Sequence, residues 1–283
     1  MLGAGGGTIT EHRARPKAPL IAKLVTALAF LLLYIPLLAL VAYSFVDWAP
    51  GRPAIFTGKW YIEAFQDESL RSAVSTSLWV GIFTTIGATF LGTTGAIALE
   101  RFHFPGKKLF DAFTLIPLIV PEIVFGLSLL IWFVAIHLTL GIFSIVLAHI
   151  TFSFSYVIIT VRTRLQDFDF SLEEAARDLG ASPAQTFWRV TFPLIWPGVL
   201  SGALMAFTLS FDDFLITFFT AGVGSDTLPI KLYSMIKFGI SPKVNALSTL
   251  ILVATVILVL MLFRPRKKTS PKSASALPEG LAA

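Results

Sequence analysis

The sequence predicts an all-α integral membrane protein with six transmembrane helices. Hydrophobic residues make up 55% of its 283 residues, and charged residues only 14%, where ordinary globular domains carry about 25% charged residues. A soluble fold of this length needs a charged surface, and this chain has too few charged side chains to form one. The chain contains no cysteine, so disulfides and thiolate metal sites are excluded.

Six apolar stretches are long enough to cross a bilayer, for which about 20 residues suffice. They are predicted at Leu20–Phe45, Ser72–Leu99, Leu109–Ile136, Leu140–Val161, Pro193–Thr220 and Val244–Phe263. Pro117 and Pro121 interrupt the third stretch and are expected to kink it. A membrane domain is therefore expected over residues 20–263, between terminal tails at 1–19 and 264–283 that are predicted to be disordered.

The basic residues give these spans a direction. Six spans place both termini on one side, and that side carries 16 of the 22 lysines and arginines. By the positive-inside rule, the sequence predicts that both termini and the fourth-to-fifth loop, residues 162–192, are cytoplasmic. The net charge of +5 then reflects membrane topology and gives no reason to expect nucleic acid. On the other side, Trp48 is expected in an interfacial aromatic belt, and residues 221–243 in a structured loop.

The fourth-to-fifth loop carries strong local signals for two short helices. Ser171 and Glu174 have the spacing of a capping box, which predicts a helix from about Leu172. Gly180 suits the left-handed residue that ends such a helix. Ser182 and Gln185 form a second capping box, followed by a helix that Pro193 is expected to stop or to join to the next span.

The first of these helices has an apolar stripe on one face. The stripe is formed at helical spacing by Leu172, Ala175, Ala176 and Leu179, with Glu173, Arg177 and Asp178 on the other face. A helix of about two turns is unstable alone in water, so the stripe must pack against something. Two partners are compatible with it: the chain itself, or a groove on a cytoplasmic protein.

The same loop resembles the EAA signature of ABC importer permeases. Glu174-Ala175-Ala176 is followed after three residues by Gly180 and after nine more by Val190-Thr191-Phe192-Pro193. The resemblance implies a type I, MetI-like permease whose cytoplasmic coupling helix, including Leu172 and Leu179, docks on an ATP-hydrolysing subunit dimer. The chain has no glycine-rich loop with the lysine that cradles phosphates. ATP and magnesium are therefore expected on that partner, with no cofactor and no catalytic residue here.

Acidic residues inside the predicted spans form a second candidate site. Glu122 lies in the third span, and Asp212 and Asp213 lie in the fifth. Charged groups in membranes are costly and usually functional, although these three could instead tie helices together. Successive helical residues point about 100° apart, so Asp212 is predicted to face the substrate pathway and Asp213 a neighbouring helix. Together with Phe211, the acids would suit a cationic solute.

Patches from residue 59 to 250 look like the second permease of bacterial spermidine/putrescine importers. They include Lys59-Trp60-Tyr61, the run around Phe211-Asp212-Asp213, and Leu228–Met235. The resemblance implies a polyamine substrate, a periplasmic or lipid-anchored binding protein and a second, homologous permease, in the bacterial inner membrane. Related permeases for an amino acid, an opine-like solute or ferric ion remain alternatives.

Two rival functions use the same acidic residues. An ion-coupled secondary transporter or channel would leave the EAA-like loop unexplained. An intramembrane hydrolase would pair Glu122 with a histidine, but the chain has no HExxH-type pair. His12, His103, His137 and His149 are scattered without metal-ligand spacing, and His137 and His149 are predicted to be packing or interfacial residues.

Overall fold

The computed structural model describes residues 20–47, 53–239 and 241–262, without the side chains of 258–262. The predicted tails at 1–19 and 264–283 and the predicted belt residue Trp48 lie outside these ranges. The described chain forms two compact units, of which the larger runs from Lys59 to Val244. The elements of the smaller unit are α1 (Leu20–Ser44), the antiparallel pair β1 (Val46–Asp47) and β2 (Ile55–Phe56), and α12 (Pro242–Leu262), whose first three residues belong to the larger unit.

The larger unit is helical throughout its regular structure. Its helices are α2 (Lys59–Gln66), α3 (Glu68–Arg101), α4 (Lys107–Ile119), α5 (Glu122–Ala135), α6 (Ile142–Gln166), α7 (Ser171–Asp178), α8 (Pro183–Thr186), α9 (Phe192–Asp212), α10 (Leu215–Thr220) and α11 (Leu228–Lys237). A π-helical turn at Phe187–Thr191 joins α8 to α9. The predicted outer loop 221–243 is structured, as expected, because it contains α11.

Within the described residues, four helices are long and apolar enough to cross a membrane: Leu20–Ser44, Glu68–Arg101, Ile142–Gln166 and Pro183–Asp212. The pair α4 and α5 adds a fifth span if it is counted as one broken segment. The apolar helix Pro242–Ile257 is shorter than a full span over its described side chains, so the sixth span stays a prediction. The all-α membrane class is confirmed, with one short two-stranded sheet added to it.

The third and fifth predicted spans are broken instead of continuous. Helices α4 and α5 meet at an angle of 113°, with Pro121 as the residue before α5. Proline lacks an amide hydrogen and its ring clashes with the preceding turn, so the helix axis changes there. In the fifth span, α9 ends at Asp212 and α10 begins at Leu215. A single helix over Pro193–Thr220 is therefore wrong.

Helices α3, α6 and α9 form the core of the larger unit. A shared cluster of fully buried side chains includes Ala96, Leu99, Val157, Val161 and Ile195. Glycines let the backbones approach closely: a Cβ atom at Gly198 would lie 2.8 Å from Arg164 Cβ, and one at Gly202 would lie 3.1 Å from Val157 Cγ1. Gly198 and Gly202 are one turn apart on α9, so together they permit close packing of α9 on α6.

Gly92 gives the tightest test of the packing between α3 and α6. A Cβ atom there would lie 2.5 Å from Val157 Cβ and 3.0 Å from the Phe154 carbonyl oxygen. We expect Gly92→Ala to destabilise the protein by about 1–3 kcal/mol, because neither neighbour can move without shifting a helix. The measurement is the thermal unfolding midpoint of the detergent-solubilised chain.

Gly95→Ala is the matched control on the same helix. Its new Cβ would meet only the end of the flexible Ile158 side chain, 3.1 Å away at Cδ1. Both substitutions raise helix propensity equally, so any difference between them reports the clash. Equal unfolding midpoints for the two variants would contradict the packing described here.

Candidate functional site

Asp213 lies at the break between α9 and α10 and caps the second helix. Its backbone is extended, with ψ of 129°. The amide and the hydroxyl of Thr217 each donate a hydrogen bond of 2.8 Å to Asp213 Oδ2, and the Ile216 amide lies 3.4 Å from Oδ1. A carboxylate before the first turn satisfies amides that have no partner within the helix. The break therefore carries its own cap.

His149 on α6 completes this cluster. Its Nε2 lies 3.2 Å from Asp213 Oδ2 and 3.0 Å from Thr217 Oγ1, and its Nδ1 lies 2.7 Å from Ser210 Oγ. The side chains of His149 and Asp213 are 1% and 6% exposed. A carboxylate only accepts hydrogen bonds, so these contacts favour the tautomer in which Nε2 carries the hydrogen, within reach of both Asp213 Oδ2 and Thr217 Oγ1. The prediction that His149 is a packing residue missed this pairing.

The two neighbouring acids point in different directions, as helical geometry predicts. Asp212 is exposed in the described chain, while Asp213 faces α6 and Thr217. The expected orientation of Asp213 towards a neighbouring helix agrees with its contact with His149 on α6. The assignment of Asp212 to the substrate pathway stays a prediction.

The broken third span brings Glu122 to the same region. Glu122 is the first residue of α5, directly after Pro121. Helix α5 packs on α10, where a Cβ at Gly126 would lie 3.1 Å from Ile216 Cα. Glu122 consequently lies within electrostatic range of both Asp212 and Asp213. The two helix breaks thus gather all three predicted membrane acids.

Aromatic rings lie beside these carboxylates. Phe211 stacks on Phe207 with ring centroids 5.7 Å apart, and Phe214 lies 4.7 Å from Tyr233 on α11. Ring faces and carboxylates are the groups that attract organic cations. Among the described residues, no cluster of three or more His, Asp and Glu side chains could hold a metal ion. The site thus combines the two kinds of group that could bind an organic cation.

The start of the cytoplasmic loop differs from the predicted capping box. Helix α7 begins at Ser171 itself, and Phe170 precedes it without a side-chain cap. The acceptor is Asp169, whose Oδ1 lies 3.0 Å from the Ser171 amide. The Ser171–Glu174 box is therefore wrong, because an aspartate two residues upstream already accepts that amide. The second box is confirmed, with the Ser182 amide 2.9 Å from Gln185 Oε1 and the Gln185 amide 3.3 Å from Ser182 Oγ.

The end of α7 has the predicted left-handed glycine. Gly180 has a φ of +87°, and its amide donates to the Arg177 carbonyl at 2.8 Å while the Ala181 amide donates to the Ala176 carbonyl at 3.0 Å. These two bonds form a Schellman cap. Of the two alternatives for Pro193, the structure agrees with the second, because Pro193 lies in the first turn of α9, which follows the π-helical turn without a break.

The apolar stripe of α7 faces away from the described chain. Leu172 is 46% exposed and Leu179 is 90% exposed. Glu174 and Ala175 are also exposed, and Ala176 is half-buried. The stripe was predicted to bind either the chain itself or a cytoplasmic protein, and its exposure favours the second. Glu173, placed by sequence on the polar face, is the buried residue of this helix.

Broken apolar helices around acidic side chains, joined by a loop of two short capped helices, are typical of a multi-pass membrane permease. Residues 88–265 match the model of the family "Binding-protein-dependent transport system inner membrane component". The match spans more than half of the chain, and the chain belongs to this family, in agreement with the resemblance of its EAA-like loop.

Curated relatives narrow the comparison further. The chain is 41% identical to the putrescine transport system permease protein PotI of Escherichia coli over 241 residues, which cover 81% of this chain and 84% of that protein. It is 38% identical to the spermidine/putrescine transport system permease protein PotC of Escherichia coli over 234 residues, covering 81% of this chain and 87% of that one. The chain is thus homologous to polyamine importer permeases.

Solved structures share the fold. A bacterial ABC transporter involved in the import of alginate superposes with a TM-score of 0.68 at 18% identity, covering 87% of this chain and 95% of that chain. The MetNI methionine ABC transporter superposes with a TM-score of 0.53 at 18% identity, covering 68% and 89%. The MetI-like permease fold expected from the sequence is confirmed.

Proposed function

We propose that this chain is a permease subunit of an ATP-driven importer that carries a polyamine, such as putrescine or spermidine, into the cytoplasm by alternating access. The observation that carries the substrate class is the similarity to PotI and PotC over most of the chain. The acids and rings at the two helix breaks support it, since a polyamine presents ammonium groups joined by apolar methylene segments. Asp212 and Glu122 attract the charges, and Phe211 contacts the methylenes.

The proposed partners follow from the family and from the loop. A cytoplasmic ATP-binding subunit dimer docks on the exposed stripe of α7, and a second, homologous permease completes the pathway. A periplasmic or lipid-anchored binding protein delivers the solute, as a solved relative of this fold in complex with a periplasmic protein suggests. Both termini and the loop 162–192 face the cytoplasm, as the excess of lysine and arginine there predicts. ATP and magnesium bind the ATPase, and this chain catalyses no reaction.

The substrate class is tested with the complete transporter in proteoliposomes. We expect ATP-dependent uptake of radiolabelled putrescine or spermidine, and ATP hydrolysis that rises when the binding protein is loaded with the polyamine. Stimulation by an amino acid, ferric ion or a sugar alone would refute the polyamine assignment while leaving the permease role intact.

The same preparation separates the proposed importer from a secondary transporter. Uptake by an ABC importer should stop when ATP hydrolysis is blocked with vanadate and should persist when an ionophore collapses the ion gradients. An ion-coupled carrier would give the opposite pair of results.

A further inference from the structure

We propose that Glu173 and Arg101 form a socket that holds helix α7 to the cytoplasmic end of α3, so that a displacement of α7 moves α3. Both are positioning residues, and neither belongs to the exposed stripe predicted to meet the ATPase. The inference rests on the proposed function only where it links the movement of α7 to transport. The contact itself is a property of this chain.

The geometry centres on the buried carboxylate of Glu173. Its residue exposure is 5%, and its Oε1 accepts hydrogen bonds from Arg101 Nη2 and from the Thr191 hydroxyl. Arg177, one turn further along α7, places Nη2 3.7 Å from Oε2. One side chain therefore connects α7 to the last turn of α3 and to the π-helical turn that leads into α9.

Arg101 contacts the loop at more than one point. Besides Glu173, its Nη2 lies 3.4 Å from Thr191 Oγ1, and its guanidinium carbon lies 5.8 Å from the centre of the Phe170 ring. These partners lie before, within and after α7. A planar guanidinium can satisfy several acceptors at fixed angles, so the contact sets the orientation of α7 as well as its distance from α3.

Helix α3 is suited to carry a displacement across the membrane. It runs for 34 residues from Glu68 to Arg101 with no proline inside, which at 1.5 Å per residue is about 51 Å. By contrast, α4 and α9 contain prolines and border the two breaks. A long unbroken helix moves as one body, whereas broken spans absorb displacement at their breaks.

The outer end of α3 is also held by a charge pair. Asp67 caps the helix through the amides of Ser69 and Leu70 and accepts a hydrogen bond from Lys243. The ammonium of Lys243 holds the pKa of Asp67 well below its usual range. Further along α3, the Ser77 hydroxyl accepts the Leu228 amide at 2.8 Å. A movement that starts at α7 thus reaches the opposite end of α3 beside α11 and the start of α12.

The residue next to Arg101 on α3 forms a different ion pair, which does not involve Glu173. Glu100 lies next to Arg101 in sequence but pairs with Arg162 on α6, whose Nη1 lies 2.5 Å from Asp111 Oδ1 on α4. The two adjacent, oppositely charged residues of α3 therefore serve different elements. Of these two, Arg101 is the residue that contacts Glu173 on α7.

The test compares four variants of the complete transporter: Glu173→Gln, Arg101→Lys, the double variant Glu173→Gln with Arg101→Gln, and Asp178→Asn as the control at the exposed end of α7. We expect Glu173→Gln to co-purify with the ATPase and to keep basal ATP hydrolysis, while solute transported per ATP falls at least about tenfold. Asp178→Asn should match the wild type. Arg101→Lys should transport more solute per ATP than Glu173→Gln but less than the wild type, because a lysine keeps one charged donor for Glu173.

The double variant separates coupling from folding. Glu173→Gln alone leaves the half-buried guanidinium of Arg101 without its carboxylate, which can destabilise the fold. Replacing both residues removes that charge, so the thermal stability should recover while transport per ATP stays low. Wild-type coupling in the double variant would overturn the inference. The charges of Glu173 and Arg101 would then only neutralise each other, and the contact would have no part in coupling.

A distance measurement tests the socket without any transport assay. The chain has no cysteine, so Asp178→Cys and His103→Cys introduce two unique spin-label sites on exposed residues of the loop and the end of α3. We expect one narrow distance distribution in the wild-type background and a broad one with Glu173→Gln. An unchanged distribution would overturn the inference even if transport proves polyamine-specific. A broadened distribution with Glu173→Gln, together with no ATP-driven uptake by the wild-type complex, would instead contradict the proposed function and leave the contact itself intact.

Discussion

Gly180→Val is expected to abolish ATP-driven transport and to reduce the amount of co-purifying ATPase at least about tenfold. Gly180 has a φ of +87°, and residues with a side chain pay about 1–2 kcal/mol to adopt that left-handed conformation. The cost is highest for a β-branched side chain. Relief of the strain would break both Schellman bonds and turn the stripe that ends in Leu179 away from its predicted partner.

Two variants separate this effect from general damage. Gly106 has nearly the same backbone, with a φ of +86° and open space around its missing Cβ, but it lies before α4. Gly106→Val should therefore cost similar strain and still bind the ATPase. Gly180→Asn should keep most activity, because asparagine tolerates the left-handed region. Loss of ATPase binding in the Gly106 variant, or normal transport in Gly180→Val, would contradict the coupling assignment.

The loop was predictable because its signals are local. Gly180 and the Ser182–Gln185 box each specify a backbone conformation from residues within one turn, and both agree with the structure. The buried position of Glu173 was not predictable in this way. Its partners Arg101 and Thr191 are 72 and 18 residues distant in sequence, and only the packing of α3 against the loop brings them together.

The membrane site shows the same division. Hydropathy gave no sign of the break in the fifth span, since an apolar run has the same composition whether or not its helix is broken. Pro121 was a usable signal for the first break, and the structure confirms a bend there. The second break has no proline. It depends on Asp213 capping α10 and on His149, 64 positions away, and a histidine inside an apolar span was the signal that could have suggested a buried acidic partner.

The two aspartates should fail in different ways when each is replaced by asparagine. Asp213→Asn should lower the stability of the assembled transporter by about 1–3 kcal/mol, because a neutral amide oxygen accepts from Thr217 and His149 more weakly than a carboxylate, and the new NH2 group cannot accept from the Ile216 amide. Asp212 is exposed in the described chain, so Asp212→Asn should unfold at the wild-type temperature. Its uptake of a polyamine should nevertheless fall about tenfold or more, since a charge-assisted contact with an ammonium group is lost.

Uptake must be normalised to folded transporter, measured by thermal unfolding and by co-purification of the partners, for this contrast to be visible. Asp226→Asn, an acid exposed in the loop before α11, controls for the loss of one negative charge outside the breaks. If Asp212 lines the pathway, Asp212→Asn must lower the uptake of a dication more than the uptake of a neutral solute of the same length. Only the dication interacts with the removed charge. Wild-type uptake and stability in both Asp212→Asn and Asp213→Asn would contradict the pathway role of Asp212 and the capping role of Asp213. A stability loss at Asp213 with normal uptake at Asp212 would retain the helix break and move the cation site towards Glu122.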